Sequence, residues 1–198
     1  MAETFRGGAA VLAGGRSLRM GQDKATLLVE GTTLLSRTAQ MLQTLADPVI
    51  IVGSAPNSCE LKNVRTIPDR CPGAGPLGGI ITALYELGEG AHLVVACDLP
   101  FLNPVLLRML QDLATEEFDA VVPSINERLE PLCAVYDYSS LRTLEAFVHE
   151  GGRAVHIALG QIHTRVVHES DLRRCDPELK SFVNLNTPDD VRQWIGPR

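Results

Sequence analysis

The run Ala9-Ala10-Val11-Leu12, opening onto Ala13-Gly14-Gly15-Arg16-Ser17-Leu18-Arg19-Met20-Gly21-Gln22-Asp23-Lys24, constrains this chain more than any other stretch. A short apolar run closed by glycines predicts a buried strand rather than a helix. Gly14, Gly15 and Gly21 let the backbone turn tightly and approach a ligand closely. Arg16, Arg19 and Lys24 put three cations on the same loop. A strand feeding a glycine-rich cationic loop binds polyphosphate through backbone N–H groups and point charges, so the loop is expected to hold a nucleoside triphosphate. The loop is not a P-loop: two residues separate Gly21 from Lys24, and Ala25 stands where the magnesium-binding hydroxyl would be. The dinucleotide fingerprint G-x-G-x-x-G is missing too. The competing reading is a surface turn with solvated cations. Such turns rarely carry this many glycines directly behind a buried strand.

The rest of the chain alternates strand and helix. Leu34, Leu35, Met41, Leu42 and Leu45 share one helical face after Thr32-Thr33, predicting a helix from Leu34 to Ala46 that Asp47-Pro48 stops. Val49 to Val52 reads as a second buried strand, giving a βαβ unit with two neighbouring parallel strands. Ser54 to Asn63 is polar and reads as a loop or broken helix, with a short strand at Val64 to Ile67. A second glycine-rich loop, Pro68 to Gly79, leads into a helix ending near Leu87, and Leu93 to Cys97 is the strongest buried strand. Asn103-Pro104 is a helix start, an Asn cap with proline in the first helical position.

Ala120 to Val122 and Leu132 to Tyr136 read as strands only nine residues apart, Pro123 to Pro131. That is too short for a helical crossover, so the sheet is expected to be mixed. Helices are predicted at Ser140 to His149 and Arg153 to Leu159, a strand at Thr164 to Val167, and a final helix capped by Thr187. The expectation is one three-layer α/β domain over residues 1–198, with a mostly parallel mixed sheet and no linker or repeat.

Composition excludes several functions. A net charge of -6 leaves no global field to attract nucleic acid or an anionic membrane, so phosphate binding must be local. No apolar stretch approaches the ~20 residues of a membrane span, and the N-terminus lacks a signal-peptide pattern, which predicts a cytosolic protein. The five cysteines are scattered without a C-x-x-C pair, arguing for free thiols and against structural zinc. Cys97, at the end of an apolar run, reads as a small core residue.

Four further features are candidates for the site. Asp98 follows the strongest strand, at the carboxyl end where open α/β sheets bind ligands. Facing a triphosphate it would hold Mg2+, which prefers carboxylate, water and phosphate oxygens; a helix-capping or turn Asp is the alternative. In the second glycine-rich loop Asp69 could accept from a base or ribose, unless the loop is a plain connection. Asn184 and Asn186, spaced by two, would share one face of a strand, or else be polar turn residues before the last helix. Arg153, after Gly151-Gly152, reads equally as a phosphate partner and as a surface arginine. The histidines show no ligand or catalytic spacing.

The motif L-A-G-G-R-S-L-R-M-G-Q-D-K resembles the opening signature of the molybdenum cofactor guanylyltransferase family. Gly73 to Ile80, Cys97 to Leu102, Glu130 to Tyr136 and Asn184 to Asp190 continue the resemblance in order across nearly the whole chain. It implies a Rossmann-like nucleotidyltransferase fold, its N-terminal part binding nucleotide and its C-terminal part binding the acceptor. The implied reaction moves GMP from GTP to molybdenum-carrying molybdopterin, with Mg2+ as cofactor. Leu12, Ala13, Gly14, Gly15, Arg19, Lys24, Asp69, Gly75, Gly79 and Asp98 would bind the nucleotide, Arg19, Lys24 and Asp98 being catalytic and Asp98 the metal ligand. Arg153, Asn184 and Asn186 match acceptor-side positions. One departure concerns the Asn usual after the second strand, where this chain reads Gly53-Ser54-Ala55-Pro56-Asn57. The implied protein is a monomer making at most transient contact with cofactor-delivery proteins. Its rivals are a cytidylyltransferase on the same pterin, a nucleotidyltransferase for other phosphates, and a nucleotide-binding regulator without chemistry.

Overall fold

Strand β1, Ala9–Leu12, is buried along its whole length and lies inside the sheet, as its uninterrupted apolar run requires. The computed structural model describes residues 7–13, 28–29, 31–53, 61–185, 190 and 194. Parallel neighbours flank β1: β4 (Val49–Val52) on one side and β6 (Ala91–Ala96) on the other. Beyond β4 lies β5 (Val64–Ile67), also parallel. Beyond β6 come β9 (Cys133–Asp137), β7 (Ala120–Ile125) and β10 (Thr164–His168), in that order. The pair β2 (Leu28–Val29) and β3 (Thr32–Thr33) forms a separate antiparallel ribbon.

The sheet is mixed, as the short connection predicted. Strand β9 runs antiparallel to both β6 and β7, while β10 is again parallel to β7. A small hairpin fills the connection, with β8 (Arg128–Leu129) folding back on the end of β7. Asn126 and Glu127 turn it with positive φ.

Helices cover both faces. Helix α1 (Leu34–Leu42) is capped by Thr33, whose Oγ1 accepts from the Ser36 N–H at 3.1 Å. It ends at Leu42 and passes into turns, four residues short of the predicted Ala46. Helix α3 (Pro104–Asp112) starts as Asn103-Pro104 requires, with the Asn103 side chain accepting from the Val105 N–H at 2.9 Å. Leu35, Ala39, Leu42, Leu106 and Leu110 from these helices pack with Ala9 and Val11 on one face. Helices α2 (Pro76–Leu87), α4 (Leu141–His149) and α5 (Val155–Leu159) bring Leu77, Ile80, Leu84, Leu144 and Leu159 against Ala10 and Leu12 on the other. The period-two alternation along β1 thus divides the core into two layers around the sheet.

The helix predicted from Arg153 begins instead at Val155, because Ala154 is extended. Residues 183–185 follow a 3-10 turn (Lys180–Phe182) and are not a strand, so the polar-turn alternative describes Asn184, while Asn186 lies outside the described residues. The predicted helix after Thr187 lies mostly outside the described residues.

Candidate active site

The chain order places a crevice at one point of the sheet. From β1 the chain passes through α1 to β4 on one side; from β5 it passes through α2 to β6 on the other. The neighbouring parallel strands β1 and β6 therefore lead in opposite directions along the sheet, β1 to β4 on one side and β6 to β7 on the other. Such switch points are where open α/β sheets bind ligands.

Leu12 and Asp98 stand on the two sides of this crevice. The Leu12 carbonyl accepts from the Cys97 N–H at 3.1 Å, and the Ala13 N–H donates to the Val52 carbonyl at 2.8 Å. Asp98 follows in the turn beyond β6 and is half-buried. Its carbonyl accepts from the Leu185 N–H at 3.1 Å, which brings the C-terminal segment with Asn184 to the same edge. Asn184 itself is exposed, its Nδ2 donating to the Phe182 carbonyl at 3.4 Å. Cys97 is buried, as a small core residue should be.

The second glycine-rich loop is held from within. Asp69 Oδ1 accepts from the Cys71 N–H at 2.9 Å and lies 3.2 Å from the Thr82 hydroxyl. Thr82, fully buried in α2, shares its one proton between that oxygen and the Gly78 carbonyl at 2.8 Å, and accepts from the Arg70 N–H at 3.0 Å. Asp69 is therefore the organiser of its own loop, whatever else it touches. Gly75 takes φ +64° ahead of α2, which no side chain caps, so the positive end of a 12-residue helix faces the edge. Gly79 packs on the first candidate strand: a β-carbon there would lie 3.1 Å from a Leu12 methyl. Leu12, Gly79 and Asp98 are thus brought together.

Arg153 lies farther round the edge. Its Nη1 donates to the carbonyls of Gly152 at 2.6 Å and Val148 at 3.1 Å, closing the C-terminus of α4. That helix packs on α2, and its Glu145 charge reaches the Cys71 thiol, which burial above all pushes up. Gly14, Gly15, Arg19, Lys24, Asn57 and Asn186 lie outside the described residues.

Sequence reading missed two features. Asn103 accepts from Val105 but also donates from Nδ2 to the Cys175 carbonyl at 2.9 Å, while its N–H donates to Ser181 Oγ at 2.9 Å. The Ser181 N–H in turn meets Asp176 Oδ2 at 2.8 Å. This buried brace fixes the segment that delivers Leu185 to Asp98, and only the cap was visible locally. The other is Glu130, half-buried at the turn into β9; its place in a matching motif was the one signal. A groove of about 410 Å³ between α3 and the turn after α1, lined by Thr44, Leu45, Val105, Arg108, Met109 and Cys175, contains none of the site residues that the sequence predicts.

Among the described residues no group of three acidic, histidine or cysteine side chains could cage a metal. The donor set still fits Mg2+, which is commonly bound through one or two carboxylates plus substrate phosphates rather than by an all-protein cage. Asp98, half-buried just beyond β6, is the carboxylate that would serve as such a ligand.

Comparison with known proteins agrees with this geometry. The model of the MobA-like NTP transferase domain matches residues 9–164. A relative from Desulfosudis oleivorans named molybdenum cofactor guanylyltransferase is 32% identical over 184 residues, 92% of this chain and 91% of its own. One from Pelotomaculum thermopropionicum, bearing the same activity in its name, is 36% identical over 91% of this chain and 88% of its own. The crystal structure of molybdopterin-guanine dinucleotide biosynthesis protein A from Archaeoglobus fulgidus superposes with a TM-score of 0.79 at 28% identity, covering 93% of this chain and 95% of that one. A topological switch with a carboxylate beyond its central strand, and a family match across both halves of the sheet, lead to one conclusion: the chain belongs to the MobA-like NTP transferase family and is a nucleotidyltransferase.

Proposed function

We propose that this enzyme transfers GMP from GTP to molybdenum-carrying molybdopterin, forming molybdopterin guanine dinucleotide and pyrophosphate. The observation that carries the reading is the crevice between β1 and β6, with Leu12 on one side and Asp98 on the other, in a chain whose relatives are named for guanylyl transfer to this cofactor. The N-terminal part holds the nucleotide and the C-terminal part the acceptor. Leu12, Ala13, Gly75 and Gly79 line the nucleoside side, and Asp69 keeps their loop in place. Gly14, Gly15, Arg19 and Lys24 grip the triphosphate; Arg153, Asn184 and Asn186 serve the acceptor.

The acceptor's terminal phosphate attacks the α-phosphorus of GTP in line. One P–O bond forms, the bond to the β-phosphate oxygen breaks, and pyrophosphate leaves with the electron pair. The attacking oxygen is already ionised, so no side-chain base is needed. Two anions must meet, and catalysis comes from positioning and charge neutralisation. Arg19 and Lys24 stabilise the charge that grows on pyrophosphate. Asp98 would hold magnesium together with the substrate phosphates, and the ion would supply further charge neutralisation.

Asp98→Asn is expected to fold normally and lose most turnover, roughly 100-fold or more, as for the loss of a main electrostatic contact. Pyrophosphate release with GTP, CTP and UTP in the presence of molybdopterin and magnesium checks both claims. Wild-type rates in the variant remove the metal role, and preference for CTP assigns a cytidylyltransferase. Nucleotide binding without pyrophosphate release makes the protein a regulator.

A further inference from the structure

Glu130 is a charged group for which the fold provides no partner. Its backbone is fixed on both sides: the N–H donates to the Pro123 carbonyl at 2.8 Å, and the carbonyl accepts from the Cys133 N–H at 3.2 Å. The side chain is half-buried, yet among the described residues no hydrogen bond or ion pair holds its carboxylate. The Arg128 charge is felt only at a distance, and burial pushes the Glu130 carboxyl up. Burying a carboxylate without a donor is costly, and natural chains rarely retain such a group without a use for it.

Its position suggests the use. Two residues on, the Leu132 carbonyl accepts from the Ala96 N–H at 2.8 Å, so Glu130 stands at the carboxyl edge beside the end of β6. It lies on the β9 side of that strand, whereas β1 lies on the other. The Asp98 carbonyl at the end of the same strand accepts from the Leu185 N–H, so the C-terminal segment reaches this edge as well.

We propose that Glu130 recognises the acceptor's heterocycle, its two carboxylate oxygens accepting from the ring N–H and exocyclic amino group of a 2-amino-4-oxo pyrimidine edge. A pterin presents that donor pair in parallel, matched to a carboxylate fork. Guanine presents the same pair, but the nucleotide occupies the β1 side of the crevice. The inference rests on the acceptor-side reading above and extends it to a residue that selects the substrate.

The test uses Glu130→Gln in the full chain. Removing a half-buried, unpartnered charge is expected to leave the melting temperature unchanged or raise it, whereas a structural residue would lower it. The variant is expected to raise the acceptor KM about tenfold or more, the loss of a bidentate charge-assisted pair, with the GTP KM unchanged. Titration of neopterin fluorescence with each protein reads the same contact without turnover, expecting affinity weakened by a similar factor. Equal neopterin affinity in the two proteins, absence of neopterin binding to the wild type, or a rise confined to the GTP KM overturns the proposal. Failure of the wild type to transfer GMP overturns the functional reading alone, since the neopterin titration still reports on Glu130.

Discussion

Gly78 and Gly79 are adjacent, and their surroundings separate structure from function. A β-carbon on Gly78 would lie 2.7 Å from the Cys71 carbonyl and 3.1 Å from Asp69 Oδ1, so the whole second loop must shift. Gly78→Ala should cost about 1–3 kcal/mol in urea unfolding, as overpacking against backbone does. At Gly79 the nearest atoms are the Leu12 methyls at 3.1 and 3.2 Å, the end of a side chain that can yield. The helix propensity gained by alanine offsets that crowding, so Gly79→Ala should be near neutral in stability. It should raise the GTP KM by displacing Leu12, a split that unfolding and steady-state kinetics resolve together. His92 carries the pH dependence. Its Nδ1 accepts from the Gly8 N–H at 3.0 Å and Nε2 donates to the Gly88 carbonyl at 2.9 Å, a neutral ring tying the start of β1 to the end of α2. Burial, the largest cause, holds its pKa below the usual 6.5. Because the native state resists the proton that the unfolded chain accepts, this stability is complete above about pH 6.5 and is lost as pH falls through the lowered value. His92→Gln should flatten stability against pH in that window, measured by denaturant unfolding from pH 5 to 7.

Among the elements, α3 shows how a local signal acquires a distant role. Asn103 was legible as a cap because its partner, the Val105 N–H, is two residues away. Its bond to the Cys175 carbonyl spans 72 residues and had no local trace. Asn103→Asp keeps the cap and loses that donor, whereas Asn103→Ala loses both. Expected costs are about 1 and about 2 kcal/mol respectively, by urea titration. The same distinction explains the corrections. Asn184 follows backbone that the brace through Asp176 and Ser181 fixes in turns, so it is not in a strand. Helix α1 ends early because Thr44 Oγ1 donates to the Met41 carbonyl at 2.7 Å and the Leu45 N–H to the Leu42 carbonyl at 2.9 Å, bonds that tighten the chain into turns.

At the scale of the molecule, the site is a property of topology and should respond as a unit. On the proposed function, GTP with magnesium at 100 times its Kd should stabilise the fold by about 2.7 kcal/mol, seen as a higher melting temperature. Asp98→Asn should remove the magnesium-dependent part of that rise. No described helix is long and apolar enough to cross a membrane. The sequence by itself determined β1, the second glycine-rich loop, the Asn103 cap and the mixed sheet, because each follows from steric, hydrogen-bonding or chain-length limits within a few residues. It also ordered the family motifs along the chain. Only the tertiary structure decided that β9 enters between β6 and β7, that Gly79 rests on Leu12, and that Asp69 is bound to Thr82. It alone left the Glu130 carboxylate without a donor. Those outcomes depend on which distant surfaces meet, and residues far apart in the chain carry no local periodicity that records the meeting.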